Sequence, residues 1–281
     1  MRSTTMLRCA LAAAVLLLAG AAQYQAIPPA AAAPAAHLRL TGSSTMGPLM
    51  TEVARRFQRH HPRIRVDVEM GGSGRGLSDV RQGRADIGMV SRALADGEND
   101  LYGIPIARDG VAVVVHRDNP LAALQREQLA GIYTGKITNW RQLGGADGPL
   151  RLLAGHANGG STAQLTHYLG LPYTAFAAPR GIDGNAERIR AVAADPLAIV
   201  YASLGQAERQ LQAGLPIKLL ALDGVAASSA NIRNASYPMA RPLTLVSRNV
   251  PAGAARQFTQ FCATSQISDL VLAHDFVPYL D

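Results

Sequence analysis

Apolar residues recur in two different rhythms along the first part of the chain. Between residues 48 and 60 they follow helical spacing, and between 64 and 70 they occupy every second position, as in a strand with one buried face. Shorter apolar runs predict strands over 37–41, 86–90 and 111–116, with a short helix over 77–81. This alternation of strands and helices predicts an α/β fold with a mainly parallel sheet.

The rest of the chain continues as a mixture of helices and strands. Helical spacing predicts helices over 126–133, 163–169, 185–194, 252–264 and 268–273. Apolar runs predict strands over 150–154, 197–201, 217–221 and 243–247. From this pattern we divide the chain into two lobes, with residues 37–115 and 245–281 in the first and residues 116–244 in the second.

Residues 1–36 have a different character. Arg2 and Arg8 precede an almost wholly apolar stretch that ends near residue 22, and sequence rich in Ala and Pro then continues to residue 36. This order is typical of a cleaved secretory signal followed by a spacer. Only Cys262 is left after cleavage, so no disulfide can form within the chain. We therefore expect a periplasmic protein in which Cys262 is a buried, small apolar residue.

Composition limits the classes of function. The chain has 281 residues, of which 48% are hydrophobic, and this is enough to bury a substantial core. The formal net charge is +7, and a basic surface helps to attract anions. The arginines are scattered and no RNA- or DNA-binding motif is visible, so we expect no nucleic-acid partner.

Three clusters of glycine and hydroxyl residues each precede a predicted helix. They are Gly42-Ser43-Ser44-Thr45, Gly71-Gly72-Ser73-Gly74 and Gly159-Gly160-Ser161-Thr162. The start of a helix has unpaired N–H groups and partial positive charge, so it attracts anions. One such cluster is usually no more than a helix cap. Three of them in one chain predict a single oxyanion site shared between the two lobes.

The order of several motifs resembles the PstS-type phosphate-binding proteins of ABC importers, a branch of the periplasmic binding protein superfamily. The motifs are Thr41-Gly42-Ser43-Ser44-Thr45-Met46, Gly71-Gly72-Ser73-Gly74, Ala85-Asp86-Ile87-Gly88-Met89-Val90-Ser91-Arg92, Arg108-Asp109-Gly110-Val111, Ile132-Tyr133-Thr134-Gly135-Lys136-Ile137-Thr138-Asn139-Trp140, and Tyr237-Pro238 before Arg241-Pro242-Leu243. The resemblance implies two α/β lobes, joined by a hinge of crossing strands, that close over one phosphate. It also implies delivery to a membrane permease by a protein that is not an enzyme. We expect a monomer without a cofactor or metal.

Matched motif by motif, the anion contacts of the family fall on Ser44, Thr45, Met46, Ser73, Ser91, Arg92, Gly160, Ser161 and Thr162. The family has an arginine shortly before the second-lobe cluster, where this chain has His156. Arginine is always charged, whereas histidine is charged only in acidic solution. Two alternatives follow: His156 contacts the anion, or His156 lies on a surface turn and Arg92 carries the charge.

Selection of phosphate over sulfate calls for a hydrogen-bond acceptor. Phosphate near neutral pH keeps a proton, which a carboxylate can accept while it repels fully ionised sulfate. Asp109, next to Gly110 at the predicted crossing strand, is the first candidate for this role, and Asp86 is the second. The alternative is that both are structural, with Asp109 in a turn and Asp86 as a cap or ion-pair partner.

Other functions remain open at this point. Ser73 lies in Gly71-Gly72-Ser73-Gly74-Arg75, which departs from the spacing of a nucleophile elbow, and the chain has no His-Glu-x-x-His string. A phosphatase-like hydrolase is therefore the weakest alternative. An exported sensor or scavenger that feeds no transporter would use the same cavity, and another oxyanion such as sulfate or molybdate would use the same fold.

Overall fold

A computed structural model of the chain describes residues 36–177 and 181–279. Residues 1–35 of the predicted signal and spacer lie outside the described residues. All elements named below belong to one unit that covers Pro34–Asp281.

The described residues form ten strands and nine α-helices. The strands are β1 (Ala36–Gly42), β2 (Ile64–Met70), β3 (Ile87–Val90), β4 (Tyr102–His116), β5 (Ala123–Leu124), β6 (Arg151–Leu152), β7 (Ala198–Ser203), β8 (Ile217–Leu222), β9 (Ala240–Ser247) and β10 (Val277–Pro278). The helices are α1 (Gly47–His60), α2 (Ser73–Arg81), α3 (Arg126–Tyr133), α4 (Gly160–Leu169), α5 (Asn185–Ala193), α6 (Leu204–Gln212), α7 (Ser229–Arg233), α8 (Gly253–Cys262) and α9 (Ser268–Ala273).

The strands pair in the order β2-β1-β3-β9-β4-β7-β6, with β8 and β10 also bonded to β4 and β5 bonded to β8. The first three strands are parallel, as the alternation of strands and helices predicts. However, β9 runs antiparallel to both β3 and β4, and β4 runs antiparallel to β7 and β8. The sheet is therefore mixed: the prediction of a mainly parallel sheet is wrong for β4 and β9, whereas β6 is parallel to β7 and β5 is parallel to β8.

Strand β4 connects two separate groups of buried side chains. Its first part pairs with β9, and its last part, Val111–His116, pairs with β7 and β8. One buried group includes Leu40, Phe57, Ala107, Leu243 and Phe258, and the other includes Val113, Tyr133, Tyr201 and Leu220. The change from one core to the other along β4 falls between Ala107 and Val111.

The division into two lobes stays a prediction. The packing of the two cores favours a boundary on β4 that lies before residue 111 and not after residue 115. Residues Val111–Val115, which the sequence division places in the first lobe, pack in the core of the second. All five are fully buried, and β7 and β8 pair with this part of β4. A boundary near Asp109 on β4 and Arg241 on β9 fits the two cores better than one after residue 115.

Most predicted elements agree with the structure to within a few residues, but two helices begin earlier than predicted. Helix α2 begins at Ser73 and α4 at Gly160, so the glycine and hydroxyl clusters form the first helical turns themselves. Helix α6 was not predicted. It begins after Ser203, whose hydroxyl accepts a hydrogen bond from the Gln206 amide as an N-cap.

Cys262 allows a direct test of the packing of α8. Its side chain is 1% exposed, and burial raises the pKa of the thiol. Because the thiolate is the reactive form, we expect Cys262 in a Cys9→Ser chain to resist Ellman's reagent in the folded protein and to react fully in a denaturing concentration of urea. Rapid labelling of the folded chain would contradict the burial of this side chain.

Candidate functional site

A cavity of about 480 Å³ lies at the beginnings of helices α1, α2, α4 and α5. All three glycine and hydroxyl clusters line it. Ser43, Ser44 and Thr45 come from the first cluster, Gly71 and Gly72 from the second, and Gly159, Gly160 and Ser161 from the third. A fourth segment, residues 182–188, also lines the cavity and was not predicted to do so. The structure thus brings the separate helix starts around one cavity.

Residues at the start of each of these helices line the same space. The first turns of helices carry unpaired N–H groups and partial positive charge, which together favour a bound anion. Gly72 and Gly184, the residues before α2 and α5, have φ angles of +88° and +68°. Glycine adopts such angles without strain. The Gly74 amide donates to the Asn158 carbonyl over 3.2 Å and connects the α2 start to the loop before α4.

Thr45 presents a hydroxyl proton to the cavity. Its Oγ1 accepts hydrogen bonds from Arg241 Nη2 at 3.3 Å and from Asn185 Nδ2 at 3.0 Å. A hydroxyl has two acceptor lone pairs and one donor proton. Because both lone pairs of Thr45 are occupied, its O–H is left to donate to a guest in the cavity that the residue lines.

Arg241 and Asp109 form a buried ion pair beneath the cavity. They face each other across β9 and β4, with Arg241 Nη2 2.6 Å and Nε 3.1 Å from Asp109 Oδ2, and both side chains are 0% exposed. Asp109 also accepts from Ser203 Oγ at 3.0 Å and from the Gly205 amide at 3.3 Å. With four donors on one carboxylate, Asp109 is committed to the protein and does not line the cavity.

Arg241 uses its remaining donors to join the walls of the cavity. Nη1 donates to the Ser91 carbonyl and to Ser161 Oγ, both at 3.0 Å, and Nη2 reaches Thr45 as described. Ser91 follows β3, Ser161 lies in the first turn of α4, and Thr45 precedes α1. Sequence reasoning quoted Arg241 only as part of a motif and assigned it no role. Its partners lie far away in the chain, so no local pattern reveals them.

Ser73 and Ser91 form a pair against which the start of α4 packs. The Ser91 amide donates to Ser73 Oγ at 3.1 Å, and the two hydroxyls lie 3.4 Å apart. A β-carbon at Gly160 would lie 2.6 Å from Ser73 Oγ and closer still to Ser91 Oγ. Only glycine at position 160 permits this approach. Ser91 and Gly160 line the cavity, whereas Ser73 lies behind them.

Two predicted contacts face the protein interior. The Met46 side chain is fully buried in the core that also contains Leu40 and Phe57, and the Met46 amide donates to Ser43 Oγ at 3.3 Å. Thr162 Oγ1 lies 2.7 Å from the Tyr201 hydroxyl and is also buried. Neither residue lines the cavity.

Arg92 is turned away from the cavity. Both of its terminal nitrogens lie 2.6 Å from the Glu98 carboxylate, and this contact lowers the pKa of Glu98. Asp86 is likewise structural, since its Oδ2 accepts from the Arg39 amide at 2.8 Å. The alternative in which Arg92 supplies the charge for the anion is therefore not supported by its placement.

His156 lies at the rim of the cavity. Its Nε2 is 3.1 Å from Asp183 Oδ1, and the two side chains are 41% and 92% exposed. The position is thus near the cavity, as the resemblance implies, but it is open to solvent and paired with a carboxylate.

Asn185 and Arg188 on α5 are functional candidates that sequence reasoning missed. Asn185 donates to Thr45, and its Oδ1 accepts from the Ser203 amide at 3.1 Å and from Arg188. Burial lowers the pKa of the Arg188 guanidinium, since removal from water disfavours the charged form. One signal was available in the sequence: Gly184 opens a fourth helix, and Asn185 and Arg188 are three positions apart on one face of it.

Among the residues that the structure describes, no group of three His, Cys, Asp or Glu side chains is placed to hold a metal ion. Within the same residues, every helix is too short or too polar to span a membrane.

Comparisons with known proteins agree with this geometry. The family model of the PBP superfamily domain matches residues 28–266. The phosphate-binding protein PstS of Bacillus subtilis is 27% identical over 251 residues, which cover 87% of this chain and 81% of that protein. A phosphate ABC transporter substrate-binding protein from Clostridium perfringens, solved with bound phosphate, superposes with a TM-score of 0.79 at 28% identity, covering 86% of this chain and 99% of the other. An ABC-type phosphate transport receptor from Vibrio cholerae superposes with a TM-score of 0.73 at 28% identity, covering 85% of this chain and 99% of the other.

The buried ion pair predicts a large loss of stability when it is broken. In Asp109→Asn, Arg241 keeps its charge without a counter-charge, so we expect the free energy of unfolding to fall by about 3–5 kcal/mol in urea denaturation. Asp100→Asn is the matched control, because it removes the partner of Arg81 at an exposed position where ion pairs contribute little. Equal stability of the two variants would show that the buried pair is not a main support of the fold.

Proposed function

Because the chain belongs to the PBP superfamily, we propose that it is a PstS-type binding protein that captures inorganic phosphate and delivers it to an ABC-type importer. The observation that carries the proposal is the convergence of four helix starts and their hydroxyls on one cavity. The proteins from B. subtilis, C. perfringens and V. cholerae, which bear phosphate-binding or phosphate-transport names, support the choice of ligand.

The donors that line the cavity suit a tetrahedral oxyanion. A phosphate that leaves water needs new hydrogen bonds at each oxygen. Helix amides and the Thr45 hydroxyl supply such bonds without a full counter-charge for each, and their preformed positions reduce the ordering cost of binding. Donors from both cores contribute, because Thr45 precedes α1 and Gly160 opens α4. A ligand that contacts both sides would hold the two cores together.

We further propose that the protein binds without catalysing a reaction. The serine most suited by sequence to be a nucleophile, Ser73, is hydrogen-bonded to Ser91, and a serine nucleophile needs a base within hydrogen-bond reach. Export to the periplasm through a cleaved signal and docking on a membrane permease belong to the same proposal. They rest on the basic and apolar start of the sequence and on the ABC-transporter proteins to which the chain is similar.

One observation favours a second candidate, the capture of another oxyanion such as sulfate. Asp109 already accepts four hydrogen bonds from Arg241, Ser203 and Gly205, so it has no capacity to accept the proton of phosphate. Selection against sulfate would then depend on the other acceptors that line the cavity, such as Asp183 and Gln206. Calorimetric titration with phosphate, sulfate, molybdate and a phosphate monoester separates these candidates, since phosphate capture requires phosphate to bind tightest.

The Thr45 hydroxyl gives the most direct test of the proposed site. We expect Thr45→Val to weaken phosphate binding by about tenfold to a hundredfold in calorimetry, because a hydrogen bond to a charged group contributes about 1.5–3 kcal/mol. Arg92→Gln is the control, since it removes a charge that the structure pairs with Glu98 outside the cavity. Unchanged affinity in Thr45→Val, or a larger loss in Arg92→Gln, would oppose this assignment.

The close approach at Gly160 gives a second test. In Gly160→Ala the new methyl group collides with the Ser73 and Ser91 hydroxyls, so the start of α4 must retreat from the cavity. We expect phosphate affinity to fall by about tenfold or more, since oriented amides act only at hydrogen-bond distance. Gly97→Ala is the matched control, because a β-carbon there meets nothing within 4 Å. Equal phosphate affinity in the two variants would remove the α4 amides from the site.

A further inference from the structure

Arg188 is a buried cation at the edge of the cavity. It lies on α5, lines the cavity and is 6% exposed. Its Nη1 donates to the Ile182 carbonyl at 3.3 Å, its Nη2 to Asn185 Oδ1, and its guanidinium carbon lies 5.4 Å from the centre of the Tyr201 ring. Its Nε is buried without a hydrogen-bond partner in the described part of the chain.

The two carboxylates that line the cavity, and Asp109 beneath it, are paired with other cations. Asp183 lies 3.1 Å from His156, Glu187 lies 2.9 Å from Arg190, and Asp109 is paired with Arg241. The direct contacts of the guanidinium are thus with neutral groups and an aromatic ring, and within residues 36–177 and 181–279 no carboxylate forms an ion pair with it, although Asp183 is close enough to favour its charge. A desolvated charge without a counter-charge is costly. An anion in the adjacent cavity would supply the missing charge.

The Arg188 guanidinium lies close to the position of His156, although Arg188 is on α5 and His156 is in the loop before α4. A β-carbon on Gly155 would collide with Arg188 Nη1, so the group lies directly against the residue before His156. Position 155 must therefore be glycine for Arg188 to adopt this position. His156 itself is solvent-exposed and paired with Asp183.

We propose that Arg188 neutralises the charge of the bound anion, and that it does so in place of the arginine that the resemblance expects at position 156. This assignment rests on the proposed capture of an oxyanion. Because a guanidinium is always charged and presents a rigid fork of donors, it suits a phosphate better than the exposed imidazole of His156. His156 is then a rim residue whose charge is not required for binding.

The test compares two substitutions that differ in whether a positive charge is kept. Arg188→Lys and Arg188→Gln both lose the guanidinium fork, but only the lysine keeps a positive charge. We expect calorimetric titration of the full chain with inorganic phosphate to show a loss of about a hundredfold for Arg188→Gln and about tenfold or less for Arg188→Lys. Arg190→Gln on the same helix, where the side chain is exposed and paired with Glu187, is the matched control and should bind like the unaltered chain.

Thermal unfolding separates ligand binding from a structural role. Since Arg188→Gln removes an uncompensated buried charge, its melting temperature without phosphate should equal or exceed that of the unaltered chain. The same concentration of phosphate should raise the melting temperature of the unaltered chain by clearly more than that of the variant, because the variant binds more weakly. A structural role predicts the opposite pattern, with a lower melting temperature and a preserved response to phosphate.

The outcomes distinguish this inference from the proposed function. If the unaltered chain does not bind phosphate, the proposed function fails. If it binds and Arg188→Gln and Arg188→Lys show equal affinity, the assignment of charge to Arg188 fails. His156→Asn should keep its affinity within about threefold. If Arg188→Gln does not fold, the other two variants provide the test. A large loss of phosphate affinity in His156→Asn, together with unchanged phosphate affinity in Arg188→Lys, then overturns the inference.

Discussion

The buried ion pair between Arg241 and Asp109 is the interaction on which the site depends. It lies where β9 and β4 pass from one core to the other, and it is wholly removed from water. Such a pair is tolerated only when its remaining donors and acceptors are satisfied. Arg241 meets this condition by bonding to Ser91, Ser161 and Thr45. The requirement to satisfy one buried arginine therefore positions three walls of the cavity.

The two buried arginines near the cavity have different electrostatic roles. The charge of Arg241 is cancelled by Asp109, so this residue orients hydroxyls and adds little net attraction for an anion. Arg188 is bonded to neutral groups, and its charge is available to the cavity. In the proposed site, the full charge of Arg188 and the partial charges of the helix starts together attract the anion. Asn185 connects the two arginines through Thr45. It accepts a hydrogen bond from Arg188 and donates one to Thr45, and the Thr45 hydroxyl also accepts from Arg241.

Glycine matters in this site because of close approach as much as turn geometry. Gly160 brings the start of α4 against the Ser73 and Ser91 hydroxyls, and Gly155 makes room for the Arg188 guanidinium. In both places an added methyl group would collide with polar side-chain atoms. The shape of the cavity therefore depends on the lack of a side chain at Gly155 and Gly160 as well as on the hydroxyl groups around it.

The sequence by itself was sufficient for most of the elements and for the meeting of the three clusters, although it missed helix α6. Strand β2 and helices α1 and α3 follow from periodicity, because apolar spacing reports a buried face within one element. The helix starts follow from glycine and hydroxyl residues that act within one turn. Tertiary structure alone decided which charges face the ligand. Arg92 is bonded to Glu98, Asp109 pairs with Arg241 from 132 residues away, and Arg188 lies beside Gly155. The physical reason is that a charge is neutralised by whatever lies next to it in space, and strand pairing, which no local pattern encodes, determines those neighbours.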